Sequence, residues 1–211
     1  MGKNVAVTAA ELLGLHIKAN PKYGSEKKGQ PTTFYATLAR QPVRLNCELR
    51  HVNVVLSPDP NVFRHTDALA GLEKGGVLVI QSDQEPERFW ASLPRAAQRT
   101  IRERSIRVYV LDAFAIAAAE ASNAELRYRM QGAAFLGAFF HVAPLQGAEE
   151  LDPEAVMDGI RARVAKKFGH LGPRGVEGDD PLGALTQAPV LVEQQRDAPQ
   201  LDPDPRVLRA L

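Results

Sequence analysis

The residue types best suited to binding or acid–base work crowd into one short stretch, Pro21-Lys22-Tyr23-Gly24-Ser25-Glu26-Lys27-Lys28-Gly29-Gln30-Pro31. A phenol, a hydroxyl, a carboxylate and several ammonium groups stand within a few residues of one another. The glycines and prolines exclude regular structure there, and apolar, strand-like runs at 15–19 and 33–38 flank it. Loops held on a rigid scaffold are where binding groups concentrate. On composition alone the stretch reads as a solvated turn; the alternative is a binding loop, whose members would be Lys22, Tyr23, Gly24, Ser25, Glu26, Lys27 and Lys28.

Elsewhere no catalytic set emerges. Histidines at 16, 51, 65, 141 and 170 never fall at zinc-ligand spacing. There is no Gly-x-Ser-x-Gly elbow, no Walker A loop, and no Gly-x-Gly-x-x-Gly between a strand and a helix. Neither a catalytic residue nor a metal site is expected on this chain. Cys47 is the single cysteine. It excludes an internal disulfide and an iron–sulfur cluster held by this chain alone, and reads as a small buried apolar group in a strand-like run. Asp112 follows an apolar run at 106–111; the reading favoured is a cap for a helix starting at Ala113, the alternative a ligand group at a sheet edge. Arg127 and Arg129 fall on different faces of one helix, as surface or interface charges.

The elements that must position these residues follow from the hydrophobic pattern. Thr8 with Glu11 three residues on reads as a capping box opening a short helix that Gly14 closes. Strands are expected at 15–19, 33–38, 43–49, 51–56, 77–80 and 106–111, with 33–38 and 43–49 forming a hairpin. Lys74-Gly75-Gly76 reads as a turn, and Val77-Leu78-Val79-Ile80 as a strand buried on both faces. Helices are expected at 63–72, within 86–104, at 113–121 and 125–140, and at 153–168, where Val156, Ile160 and Val164 form one face. The pattern predicts an α/β domain over 1–168, its mixed, mostly parallel sheet flanked by helices. An extended Pro/Gly-rich C-terminal tail over 169–211 is expected to lie across a partner subunit.

With 211 residues, 45% hydrophobic and 24% charged, the chain suits one large globular domain or one domain with an appendage. A net charge of +1 supplies no field for nucleic acid or an anionic membrane. No apolar run reaches the roughly 18 residues of a membrane span, residues 1–5 hold no signal-peptide core, and Ala6 breaks the myristoylation pattern. A cytoplasmic protein is expected.

Four segments, in order, carry a family resemblance: Val5-Ala6-Val7-Thr8-Ala9-Ala10-Glu11-Leu12-Leu13; Tyr23-Gly24-Ser25-Glu26-Lys27-Lys28-Gly29; Leu72-Glu73-Lys74-Gly75-Gly76 with its following strand; and Val108-Tyr109-Val110-Leu111-Asp112-Ala113 with Ala134-Phe135-Leu136-Gly137-Ala138. Over residues 2–168 the chain resembles the gamma subunit, or gamma domain, of the 2-oxoacid:acceptor oxidoreductases, thiamine diphosphate enzymes typified by pyruvate:ferredoxin oxidoreductase. It departs from the family's glycine-rich opening, here reduced to Met1-Gly2-Lys3-Asn4.

The resemblance implies a non-catalytic subunit of a complex that converts a 2-oxoacid and coenzyme A to acyl-CoA and carbon dioxide, with an aryl acid such as phenylglyoxylate among the substrates. It implies alpha, beta and ferredoxin-like delta partner subunits, and a flavin subunit with FAD where NAD is the acceptor. Thiamine diphosphate, Mg2+ and 4Fe–4S clusters would be held by the complex, none by this chain alone. Lys22, Lys27 and Lys28 would attract the acidic nucleotide of coenzyme A, with Tyr23 and Glu26 fixing the loop. The alternatives are a purely structural assembly module and an autonomous nucleotide-binding α/β protein.

Overall fold

The computed structural model describes residues 1–22, 32–44, 49–120, 124–143, 155, 158–160, 162, 190–191 and 207–210. In chain order run α1 (Gly2–Leu12), β1 (His16–Lys22), β2 (Thr33–Ala39), β3 (Val52–Ser57), α2 (Val62–His65), β4 (Leu72–Gln81), α3 (Pro86–Ser92), α4 (Arg95–Glu103), β5 (Arg107–Leu111), α5 (Ala113–Glu120), α6 (Ala124–Val142), β6 (Val190–Leu191) and β7 (Val207–Ala210). Among the described residues the strands form one sheet in the order β1-β2-β7-β3-β4-β5-β6. Strands β7, β3, β4 and β5 run parallel, while β1 with β2, β2 with β7, and β5 with β6 are antiparallel. The mixed α/β sheet expected from the hydrophobic pattern is present.

The central strands read as unbroken apolar runs because both their faces are covered. Alternation sends Val54, Leu56, Val77 and Val79 into one core with α1, α5 and α6. It sends Val55, Leu78, Ile80 and Val108 into a second core with α2, α3 and α4. Both parallel crossovers, β3 to β4 and β4 to β5, lie on that second face. In the first core Phe135 and Phe139 of α6 are fully buried. Phe139 meets Phe140 edge-on, at 5.7 Å between ring centroids and 76° between planes. Each such fully buried large apolar side chain contributes about 1.5–3 kcal/mol relative to exposure.

Several expected boundaries shift. Helix α1 begins at Gly2, and Thr8 lies inside it, 5% exposed among buried Val5, Ala6, Ala9 and Ala10, so it is no N-cap. The apolar pairs Val5-Ala6 and Ala9-Ala10 share one helical face and extend the helix upstream of the apparent capping box. The 33–49 hairpin does not form from its described residues: β2 pairs with β1 and β7, and Pro42, Val43 and Arg44 belong to no strand. Residues 45–48, with Cys47, lie outside the described residues. The 63–72 helix shrinks to α2, because Asp67 turns its carboxylate onto the Leu69 amide (3.0 Å). Lys74-Gly75-Gly76 is no free turn but an irregularity inside β4. The register passes from Val52↔Leu72 to Val54↔Val77, Gly75 takes φ 75°, and its N–H donates to the Arg104 carbonyl at 2.7 Å. A Cβ at Gly76 would stand 2.7 Å from Leu72 Cδ1.

Of the 153–168 helix, Ala155, Asp158, Gly159, Ile160 and Ala162 are described as helical, and Ile160 is buried in the first core. Of the expected extended tail, β6 and β7 are strands of this chain's own sheet. No helix among the described residues is long and apolar enough to cross a membrane.

Candidate functional site

The parallel strands end together. Their register aligns Ser57 with Ile80 and Gln81 with Leu111, while Phe34 and Leu56 both face Ala210 across β7. On the same edge β1 ends at Lys22, paired with Thr33, the first residue of β2. Residues Leu13 and Gly14, the latter at φ 61°, are all that separate α1 from Leu15 and β1, so α1 runs back along the sheet and starts at this edge as well. The carboxyl edge of parallel strands is where open α/β sheets bind ligands.

The candidate loop is therefore strung from this edge. It leaves β1 after Lys22 and returns at Thr33. Lys22 is exposed at the strand end, whereas Tyr23, Gly24, Ser25, Glu26, Lys27 and Lys28 lie outside the described residues. The sheet puts their anchor points on the same edge as the β3, β4 and β5 termini, with β7 between β2 and β3.

Those termini carry polar groups that the sequence reading did not single out, apart from Asp112. Ser57, Gln81 and Ser82 are buried, and each has a job on the backbone. Ser57 Oγ donates to the Asp59 carbonyl (3.1 Å), and Asp59 Oδ1 accepts from the Asn61 amide (2.8 Å). Ser82 Oγ accepts from the Gln84 amide at 3.1 Å. Asp112 Oδ1 accepts from the Ala115 amide (3.0 Å) and from Gln81 Nε2 (3.2 Å). The Phe114 amide donates to Gln81 Oε1 at 3.2 Å. Thus the Phe114 and Ala115 amides of α5 are taken by Gln81 and Asp112, leaving neither free for a phosphate. Asp112 is the cap the sequence indicated. Gln81 was legible only as the polar residue that breaks the apolar run 77–80.

At this edge the polar side chains of Ser57, Gln81, Ser82 and Asp112 hold loop geometry. Among the described residues no group of three or more His, Cys, Asp or Glu side chains is placed to hold a metal ion. His51 pairs with Glu73 at the opposite end of the strands, on the surface.

A doubly covered α/β domain with its loops gathered at the carboxyl edge is the class that fold and site define. Comparison with known proteins narrows this. The model of the pyruvate ferredoxin/flavodoxin oxidoreductase family matches residues 1–177, and the chain belongs to that family. The common gamma subunit of the pyruvate/ketoisovalerate oxidoreductases of Pyrococcus furiosus is 24% identical over 164 residues, 78% of this chain and 81% of that one. Its counterpart in Pyrococcus abyssi is 26% identical over 96 residues, 46% of this chain and 52% of that one. The chain spans about half the length of the gamma subunits it matches in Pyrococcus abyssi, Thermococcus litoralis and Thermococcus kodakarensis. The pyruvate:ferredoxin oxidoreductase of Moorella thermoacetica matches 72% of this chain with 12% of its own length, at 23% identity. The solved pyruvate oxidoreductase subunit PORC of Thermotoga maritima shares the fold, with a TM-score of 0.56 and 19% identity over 87% of this chain and 85% of that one. The resemblance read from the four sequence segments is to this same gamma type.

Proposed function

We propose that this chain is the gamma part of a multi-subunit 2-oxoacid oxidoreductase and that it lines the approach of coenzyme A to a centre built by other subunits. The overall reaction is R-CO-COO− plus CoA-SH giving R-CO-S-CoA, carbon dioxide, one proton and two electrons. The electrons pass to a ferredoxin- or flavodoxin-type acceptor. Thiamine diphosphate, when bound elsewhere in the complex, supplies the carbanion chemistry. This chain's contribution is positional. The observation that carries the reading is the family match over 1–177, with Lys22 and Thr33, the ends of the candidate loop, at the carboxyl edge of the sheet.

Within that role, Lys22, Lys27 and Lys28 draw the anionic nucleotide of coenzyme A toward the edge by long-range attraction, and Tyr23 and Glu26 shape the loop. Pyruvate or a branched 2-oxoacid is the favoured substrate, with phenylglyoxylate the competitor to assay beside them. In the purified complex, Lys27→Ala with Lys28→Ala is expected to raise the KM for coenzyme A several-fold, more at low salt, and to leave the KM for the 2-oxoacid unchanged. An unchanged coenzyme A requirement sinks the role given to the loop. Purification of the chain without any 2-oxoacid-oxidising subunit sinks the function itself.

A further inference from the structure

Helix α4 presents an arginine stripe to the outside. Arg95, Arg99 and Arg102 recur at i, i+4 and i+7 and are exposed, while Ala97 and Ile101 on the opposite side are buried. Residues 86–104 hold five arginines and two glutamates, in a chain whose net charge is only +1. Arg88, Arg95 and Arg99 make no ion pair with a described residue. Glu103 follows Arg99 by four positions without bonding it. Arg102 lies over the Trp90 ring, 5.0 Å from its centroid, and Arg104 donates to the Leu72 carbonyl at 2.9 Å, which ties α4 to α3 and β4. The stripe is thus mounted on a fixed support, although like charges at these spacings repel within a helix. Among the described residues no direct ion pair neutralises Arg95 or Arg99.

We propose that this face docks a carboxylate-rich surface of another subunit of the same enzyme; the identity of that subunit's complex rests on the function proposed above. Guanidinium groups favour carboxylates through planar, two-pronged hydrogen bonding, and a row of them sets orientation as well as attraction. A nucleic acid is the poorer fit. The aromatic beside the stripe, Trp90, has a ring face already occupied by Arg102, so it is not open for base stacking.

The test uses the purified complex, with this chain removed and titrated back onto the remaining subunits at several salt concentrations. R95E/R99E, which leaves the Trp90 contact intact, is expected to weaken reassociation at least tenfold at low salt and to flatten its salt dependence. R95K/R99K, keeping charge but not the fork, is expected to fall between the variant and the parent. Circular dichroism should show both variants folded. Unchanged reassociation by a folded R95E/R99E chain overturns the docking and leaves the functional reading standing. So does unchanged reassociation accompanied by lost binding to a DNA duplex or to phosphatidylserine vesicles, since the face would then serve another class of partner. If the parent chain associates with no 2-oxoacid-oxidising subunits, both proposals fall.

Discussion

Asp112 and Gln81 show how much depends on single polar atoms at the carboxyl edge. One carboxylate oxygen accepts from an amide of α5 and from a buried carboxamide, and that carboxamide accepts from a neighbouring amide of the same helix. Asp112→Ala removes a cap and orphans Gln81 Nε2. It is expected to lower stability by about 1–2 kcal/mol, read as a shift in urea midpoint at constant slope. Asp112→Asn keeps an oxygen for Ala115 and is expected to lose less. Gly71 is the other sensitive residue. Its φ is 77°, and a Cβ there would stand 2.5 Å from the Arg50 carbonyl oxygen. Gly71→Ala is expected to cost at least the roughly 1–2 kcal/mol of a left-handed conformation, because backbone, unlike a side-chain tip, cannot step aside. The cap was legible in the sequence, since an aspartate between a strand and a helix has a local purpose. Its partnership with Gln81 was not, because the two lie 31 residues apart and only the β4–β5 register brings them together.

Helices α5 and α6 make the contrast at the next scale. Phe135 of α6 is wholly buried, whereas Phe114 of α5 is 47% exposed. Phe135→Ala is expected to cost about 3–5 kcal/mol and Phe114→Ala little, both by urea denaturation. The stretches 113–119 and 133–140 are apolar all round, so composition marked them as helices without saying which side faced inward. Strands were legible where runs such as 77–80 and 106–111 had no competing explanation. They were misread where local cues pointed elsewhere. The alternation at 43–49 suggested a hairpin partner for β2, but β1 on the far side of the basic loop takes that place. Gly75-Gly76 suggested a stop, yet the strand absorbs it as an irregularity because Arg104 supplies an acceptor for the Gly75 amide. The candidate loop stood out by its crowded chemistry. That its two ends, Lys22 and Thr33, lie at the carboxyl edge required knowing that β1 runs parallel to β3, a long-range fact with no local signature.

Among the described residues two cores share one sheet. One lies under α1, α5 and α6, the other under α2, α3 and α4. The proposed function puts such a domain inside a larger enzyme, and an inner sheet covered on both sides lets it keep its fold while the carboxyl edge and the α4 flank face outward. The chain has one tryptophan, and Trp90 packs against the second core alone. Its fluorescence is therefore a local optical probe of a single layer, blind to the phenylalanine-rich side. If the two layers melt as one unit, the emission change on heating will coincide with loss of far-ultraviolet dichroism. Should the α2–α4 layer loosen first, emission will redshift while most of the ellipticity persists. One indole ring, held beneath one guanidinium, makes that distinction observable without any added label.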